Sequence, residues 1–233
     1  MEIQSDGIFL GQKKLGESKY VAKVFSQDFG LISGVIRVGK QGGHIQSGEY
    51  VRVRWRARLE EHLGQSTIER LGGFDPLETS PRAMQGLMSM SYLLQATLNE
   101  REAETRLYSA TSQLLKAFSN ADWAASYLEW ERILLESMGF GLDIDCCAAL
   151  GCTQNDLRYI SPKSGRAVCS EHGAPYKDQL FKMPKFWQDG HSDMSDVVAG
   201  LQITGYFLNR AFSFAETILE FRRNLLENLR DSA

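Results

Sequence analysis

Two segments of this 233-residue chain carry side chains whose types and spacing suit chemistry. The first is Val51-Arg52-Val53-Arg54-Trp55-Arg56-Ala57-Arg58. Side chains alternate across a β-strand, so Val51, Val53, Trp55 and Ala57 share one face and the four arginines share the other. Guanidinium groups spaced about 7 Å apart, two strand rises, repel one another unless anions are close. The forked donors of Arg also suit phosphate. Nucleic-acid binding therefore outweighs the alternatives of a solvated face or a charged edge that blocks aggregation. Lys13, Lys14, Arg37 and Lys40 extend this patch if their strands are neighbours.

The second segment is Cys146-Cys147-Ala148-Ala149-Leu150-Gly151-Cys152, followed after sixteen intervening residues by Cys169-Ser170-Glu171-His172. A zinc knuckle needs two closely spaced ligand pairs, so that short loops close a tetrahedron. Cys147-x4-Cys152 and Cys169-x2-His172 meet that need loosely. Alternatively, the cysteines are small buried hydrophobes and His172 is a surface residue. The spacing leaves both readings open.

Enzymatic signatures are missing. Gly39-Lys40-Gln41-Gly42-Gly43 lacks the Gly-Lys-Ser/Thr ending of a P-loop, and neither GxSxG nor HExxH occurs. His44, His62 and His191 stand apart from carboxylates, Glu60-Glu61 reads as a solvated strand end, and Cys147 has no evident activating neighbour. The expectation is a protein that is not an enzyme.

The elements that must position these residues follow from pattern. Ile8–Leu10, Tyr20–Phe25, Leu31–Val38, Tyr50–Arg58 and Ser66–Leu71 read as strands, with a tight turn at Asp28-Phe29-Gly30. Leu31–Val38 is expected to alternate, with Ile32, Gly34, Ile36 and Val38 on one face. Gly72-Gly73, Pro76 and Pro81 mark a boundary. Five short strands in such a length suit an OB-fold barrel.

From about residue 84 the period becomes helical. Leu87, Met90, Leu94 and Leu98 form one stripe, and Leu107, Thr111, Leu114 and Phe118 form a second. Trp123, Tyr127, Trp130, Leu134 and Met138 form the clearest third. Residues 141–191 read as irregular. Asp193 starts another helix, and Phe214, Ile218, Phe221 and Leu225 mark the last. The predicted fold is α+β and multidomain. An OB barrel over 1–80 precedes a helical domain over 81–233, with the Cys-containing insert at about 141–191.

Hydrophobic residues at 43% and charged residues at 24% are a globular balance and exclude wholesale disorder. The net charge of −3 hides an asymmetry: residues 1–58 carry +5 and the remainder −8. Only one domain is therefore expected to meet a polyanion. No uncharged apolar run reaches about 18 residues, and no basic segment followed by an apolar run opens the chain. Four clustered Cys suit a reducing compartment rather than a disulfide framework. The expectation is a cytoplasmic protein with no membrane partner.

Several segments, in order and spacing, resemble the RecO family of bacterial recombination and repair mediators. They are Asp6-Gly7-Ile8, Gly16-Glu17-Ser18, the Phe25-Ser26-x-Asp28-x-Gly30 turn, Met138-Gly139-Phe140-Gly141-Leu142-Asp143 and, most specifically, Ile160-Ser161-Pro162-Lys163-Ser164-Gly165-Arg166-Ala167-Val168. Trp55-Arg56-Ala57-Arg58-Leu59-Glu60-Glu61-His62-Leu63-Gly64 looks like the alphaproteobacterial branch. The resemblance implies an OB-fold followed by a helical domain. It implies binding of single- and double-stranded DNA, annealing of complementary strands, and loading of recombinase onto strands coated by single-strand-binding protein. The implied partners are RecR and the C-terminal tail of single-strand-binding protein, with a place on the bacterial nucleoid when acting. A scaffold whose barrel binds protein instead of DNA is the competing class.

No cofactor is required by this resemblance, and zinc is the one candidate. Zinc-bearing members have two C-x2-C pairs. Here Cys147 matches the first position, Leu150 the second, and Cys169 and His172 the last pair, while Cys152 is displaced by two residues. If zinc binds, the ligands are Cys147, Cys152, Cys169 and His172, with Cys146 as the alternative to Cys147. Because Leu150 stands at a ligand position, the metal-free picture, with Cys147 buried as a small apolar side chain, is preferred. Some relatives also carry basic residues before the aromatic that aligns with Trp130, where this chain has Leu128-Glu129. Arg132, Arg101 or Arg106 are the candidates to supply that charge.

Overall fold

The computed structural model describes residues 1–37, 45–59, 62–76, 79–190 and 193–231. Val38, the expected Gly39–Gly43 loop with Lys40, His44, the Glu60-Glu61 pair and His191 lie outside the described residues. By internal contacts the chain divides into Met1–Trp123 with Glu216–Arg222, and Ala124–Ala215 with Arg223–Ala233.

In the first unit, β1 (Glu2–Lys14), β2 (Lys19–Ser26), β3 (Gly30–Arg37), β4 (Tyr50–Arg56) and β5 (Gly64–Gly72) form a closed barrel in the order β1-β2-β3-β5-β4. All pairings are antiparallel except β3 with β5, which meet in parallel at Gly34↔Gly64 and Val35↔Gln65. This is the OB-fold arrangement. Ile3, Phe9, Val24, Ile32, Val51, Val53 and Trp55 fill its interior.

The seam between β3 and β5 is built around one side chain. Trp55 is fully buried, and its Nε1 donates to the Ser33 carbonyl at 3.1 Å. A Cβ on Gly34 would lie 2.9 Å from the indole, and one on Gly64 would lie 2.5 Å from it. Only glycine lets both strands pass at that distance.

β1 and β3 differ most from the sequence expectation. β1 begins at Glu2 rather than Ile8. Its first residues alternate charged or polar outside (Glu2, Gln4, Asp6) with Ile3, Ser5 and Gly7 inside, and two small inward residues hide the hydrophobic period. In β3 both faces are covered, so Leu31 and Ser33 are as buried as Ile32. The segment after α1 (Pro81–Thr97) lies against the second face: Ser33 N donates to Glu100 Oε2 and Arg101 N to the Leu31 carbonyl. Gln95 Nε2 reaches the Leu10 carbonyl at 2.9 Å from α1 itself. The turn at Gly30 has a φ of 63°.

The helical stripes are buried faces. Leu87, Met90 and Leu94 on α1 and Leu107, Thr111 and Leu114 on α2 (Thr105–Ala117) are all enclosed. Ser80 caps α1 by accepting from Ala83 N. α3 (Trp123–Ser137) carries Tyr127, Trp130 and Leu134, with 1% of Trp130 exposed, so this stripe is core.

In the second unit, α3 packs on α6 (Met194–Ala211). Leu128 fills the space above Gly200, and Thr204 Oγ1 donates to buried Glu131 at 2.5 Å. Asp193 caps α6, as its sequence position suggests. The last helix, α7 (Glu216–Arg230), starts after Phe214, which instead stacks with Phe212.

The stretch at 141–191 is not simply irregular. It holds a three-stranded sheet of β6 (Leu157–Ile160), β7 (Ala167–Cys169) and β8 (Phe181–Lys182), in the order β7-β6-β8. α4 (Ser170–Gly173), a 3₁₀ turn over Ala174–Gln179 and α5 (Phe186–Asp189) complete it. Strands of four, three and two residues are too short to show a period. Among the described residues, no helix is long and apolar enough to cross a membrane.

Two substitutions test this packing. Trp130→Ala should cost about 3–5 kcal/mol in a denaturant melt, as expected for a large buried aromatic. Gly64→Ala should cost about 1–3 kcal/mol by overpacking the seam against a rigid indole. Parent-like unfolding midpoints would refute these assignments.

Candidate nucleic-acid interface and metal centre

β4 presents the arginines as its alternation requires, because Val51, Val53 and Trp55 are drawn into the barrel. Arg54 and Arg56 are exposed and Arg52 is half-buried. The strand ends at Arg56, so Arg58 stands on the β4–β5 loop.

The anions that such a row needs are partly internal. β1 runs antiparallel to β4 with Glu2 opposite Arg56, Gln4 opposite Arg54 and Asp6 opposite Arg52. Arg52 donates twice to Asp6, at 2.7 and 2.9 Å, and Arg56 Nη2 donates to Glu2 Oε2 at 2.8 Å. The hydrogen bond from Arg56, reinforced by its charge, holds the Glu2 carboxyl below the usual carboxylate range, and Arg52 does the same for Asp6. Among the described residues, Arg54 and Arg58 have no salt-bridge partner.

A groove of about 1020 Å³ opens on this side of the barrel, between the β1–β2 and β4–β5 loops. It brings together Lys19, Arg37, Arg54, Arg56 and Arg58, with Glu2 the one acid among its described lining. Leu15 and Leu63, from the two loops, add exposed apolar surface, and His62 lies beside them. Of the other basic residues read from the sequence, Arg52 lies outside the lining. Lys13 and Lys14 are exposed where β1 pairs with β2, also outside it. Lys40 lies outside the described residues. Lys19 and Glu2 escaped the sequence reading. The alternation of Glu2, Gln4 and Asp6 on a strand antiparallel to the arginines is the signal that would have found Glu2.

Of the residues weighed as charge sources near Trp130, Arg132 is held by Glu129 and Glu136 on its own helix. Arg101 lies with its guanidinium carbon 4.3 Å from the centre of the Trp55 ring.

In the second unit, Cys147, Cys152, Cys169 and His172 converge, their ligand atoms all within 4.8 Å of one another. Cys152 Sγ lies 3.8 Å from Cys169 Sγ, and His172 Nδ1 lies 3.1 Å from Cys169 Sγ and 4.0 Å from Cys147 Sγ. A tetrahedral zinc, with bonds of about 2.3 Å to sulfur and 2.0–2.1 Å to nitrogen, sets its ligands about 3.8 Å apart for two sulfurs and about 3.6 Å for sulfur and nitrogen. The donor set and spacing fit a metal such as zinc.

The displaced Cys152 joins because the loop turns. Cys152 N donates to the Ala149 carbonyl, Gly151 takes a left-handed φ of 72°, and Leu150 is pushed fully into solvent. Cys146, the alternative to Cys147, is not in the cluster: it is exposed, 3.9 Å from Asp143 and 4.0 Å from Arg166. Cys147 is buried, as the metal-free picture requires, but its sulfur is not idle, accepting Cys169 N at 3.4 Å. Burial pushes this thiol up, and the N–H groups of Ala149 and Cys169 with the neighbouring thiols outweigh it, bringing it down to about 7.

Comparison with known proteins matches both parts. The family model described as recombination protein O N terminal covers residues 1–71, and that described as recombination protein O C terminal covers 79–213. A protein of Ruegeria sp. (strain TM1040) named DNA repair protein RecO is 38% identical over 214 residues, covering 89% of this chain and 88% of its own. Proteins of the same name from Xanthobacter autotrophicus and Mesorhizobium japonicum are each 39% identical, covering 89% and 90% of this chain and 88% and 85% of their own. With its barrel and its helical part matched in order by both family models, the chain belongs to the RecO family.

Proposed function

We propose that the chain is a DNA-binding mediator of recombinational repair and not an enzyme. It anneals complementary strands and helps load recombinase onto DNA coated by single-strand-binding protein. The groove, whose described lining holds five basic side chains and one acid, carries this reading. Two loops flank the groove, in the position that OB-folds use for oligonucleotides. Arg54, Arg56 and Arg58 hold phosphate rather than bases, so they bring no sequence preference. Two backbones held near these charges repel each other less, and complementary strands pair faster. RecR and the tail of single-strand-binding protein are the partners proposed by kinship. Bacterial cytoplasm, with action on the nucleoid, is the proposed setting.

The Cys147, Cys152, Cys169 and His172 cluster holds a structural zinc in this reading. A four-ligand site leaves no open position for water chemistry, so the metal supplies folding energy alone. Cys147 and Cys152 bring the loop, and Cys169 and His172 bring β7 and α4, to one point.

Arg54→Ala and Arg58→Ala should each weaken binding equally on unrelated single-stranded sequences. The log–log salt slope should fall in magnitude by about 0.7 per lost contact. Unchanged slopes in both variants would overturn the groove assignment, and salt-independent capture of a protein partner by the barrel would favour the scaffold. For the metal, elemental analysis of protein purified without chelator should give close to one zinc per chain, lost in Cys169→Ser. A parent protein with close to none would remove the clamp.

A further inference from the structure

The groove contains a charge that works against its basic residues. Glu2 sits in its lining, 2.8 Å from Arg56 Nη2, with the side chains 57% and 75% exposed. We propose that Glu2 is a resident counter-ion of the groove, an affinity-tuning residue that holds Arg56 until a chain of phosphates displaces it. This rests on the reading of the groove as a DNA-binding surface.

Backbone pairing fixes the geometry. The β1–β4 register sets Glu2 opposite Arg56, so the carboxylate is tethered beside the guanidinium at a high effective concentration. A single free anion must compete with that tethered group for one Arg. A nucleic-acid strand also engages Arg54 and Arg58, which have no salt-bridge partner among the described residues, and so displaces Glu2 with help from its other phosphates. Arg56 neutralised by Glu2 delivers no net charge to the strand and releases fewer counterions. A lone anion and a strand thus face the same cost to take Arg56, so Glu2 lowers the groove's affinity for nucleic acid and flattens its salt dependence.

The same strand provides an internal control. Asp6 pairs with Arg52 by two hydrogen bonds, a similar carboxylate–guanidinium contact, but neither residue lines the groove. Four residues along β1 separate the two acids by about 13 Å, beyond the screening length of about 8 Å at physiological salt. Removing either carboxylate changes net charge equally, so only a local effect distinguishes them.

The test is fluorescence anisotropy with a labelled single-stranded oligothymidine and the full chain, across a salt series. Glu2→Gln should bind more tightly than the parent, with a salt slope steeper by about 0.7, so its advantage shrinks about fivefold for each tenfold rise in salt. Asp6→Asn should change affinity less than twofold at physiological salt. In an Arg56→Ala background, the gain from Glu2→Gln should shrink, leaving only its through-space effect on Arg54. The proposal is overturned if Glu2→Gln binds like the parent, if Asp6→Asn matches it, or if its effect survives undiminished without Arg56. Arg54→Ala separates the two levels. If it weakens binding while Glu2→Gln does not strengthen it, only the counter-ion role falls. If Arg54→Ala and Arg58→Ala both bind like the parent, the groove assignment falls and takes this role with it.

Discussion

The barrel depends on the burial of one indole. Trp55 occupies the point where β3 and β5 must meet to close the sheet, and it is accommodated by glycine on both strands. Its N–H is satisfied by the Ser33 carbonyl, which removes the cost of burying a polar group. Arg101 lies against the ring, so an indole at the centre of the barrel is also in contact with the segment that follows α1. Closing the sheet this way leaves only two residue pairs in the parallel seam. The groove flanked by the β1–β2 and β4–β5 loops lies beside it.

The charge pattern follows from the same burial. Trp55 faces inward with Val51 and Val53, so Arg52, Arg54 and Arg56 must face outward. An outward row of like charges is unfavourable on a bare strand. β1 relieves it by setting Glu2 and Asp6 opposite two of the three. The relief is partial: among the described residues Arg54 and Arg58 keep no salt-bridge partner, and both line the groove. The contrast between a basic barrel and an acidic remainder, visible in the raw charge counts, thus becomes a specific surface.

The second unit solves a different problem. Its long helices bury aromatic and aliphatic faces in the usual way, but in the stretch between α3 and α6 the elements among the described residues are all short. Three very short strands and a Cys3His cluster gather it. Cys152 reaches the cluster because the chain beside it turns at a left-handed Gly151 and leaves Leu150 in solvent.

Much of this was legible in the residues. Alternation assigned Val51 to Ala57 to the barrel interior and the arginines to its outside, because a strand's side-chain period is two whatever surrounds it. Helical stripes such as Leu87-Met90-Leu94 and Tyr127-Trp130-Leu134 marked buried faces for the equally local reason of the 3.6-residue turn. The family's segments named the OB-fold. What needed the tertiary structure were facts about partners distant in sequence. Ser33 is buried because Glu100 covers it, and β1 starts at Glu2 because its acids answer arginines about fifty residues away. The four side chains of the Cys3His cluster meet only once the 147–152 loop and the β7–α4 junction fold to the same point. Local periodicity carries none of this information, because such contacts are chosen by chain closure and by charge across strands.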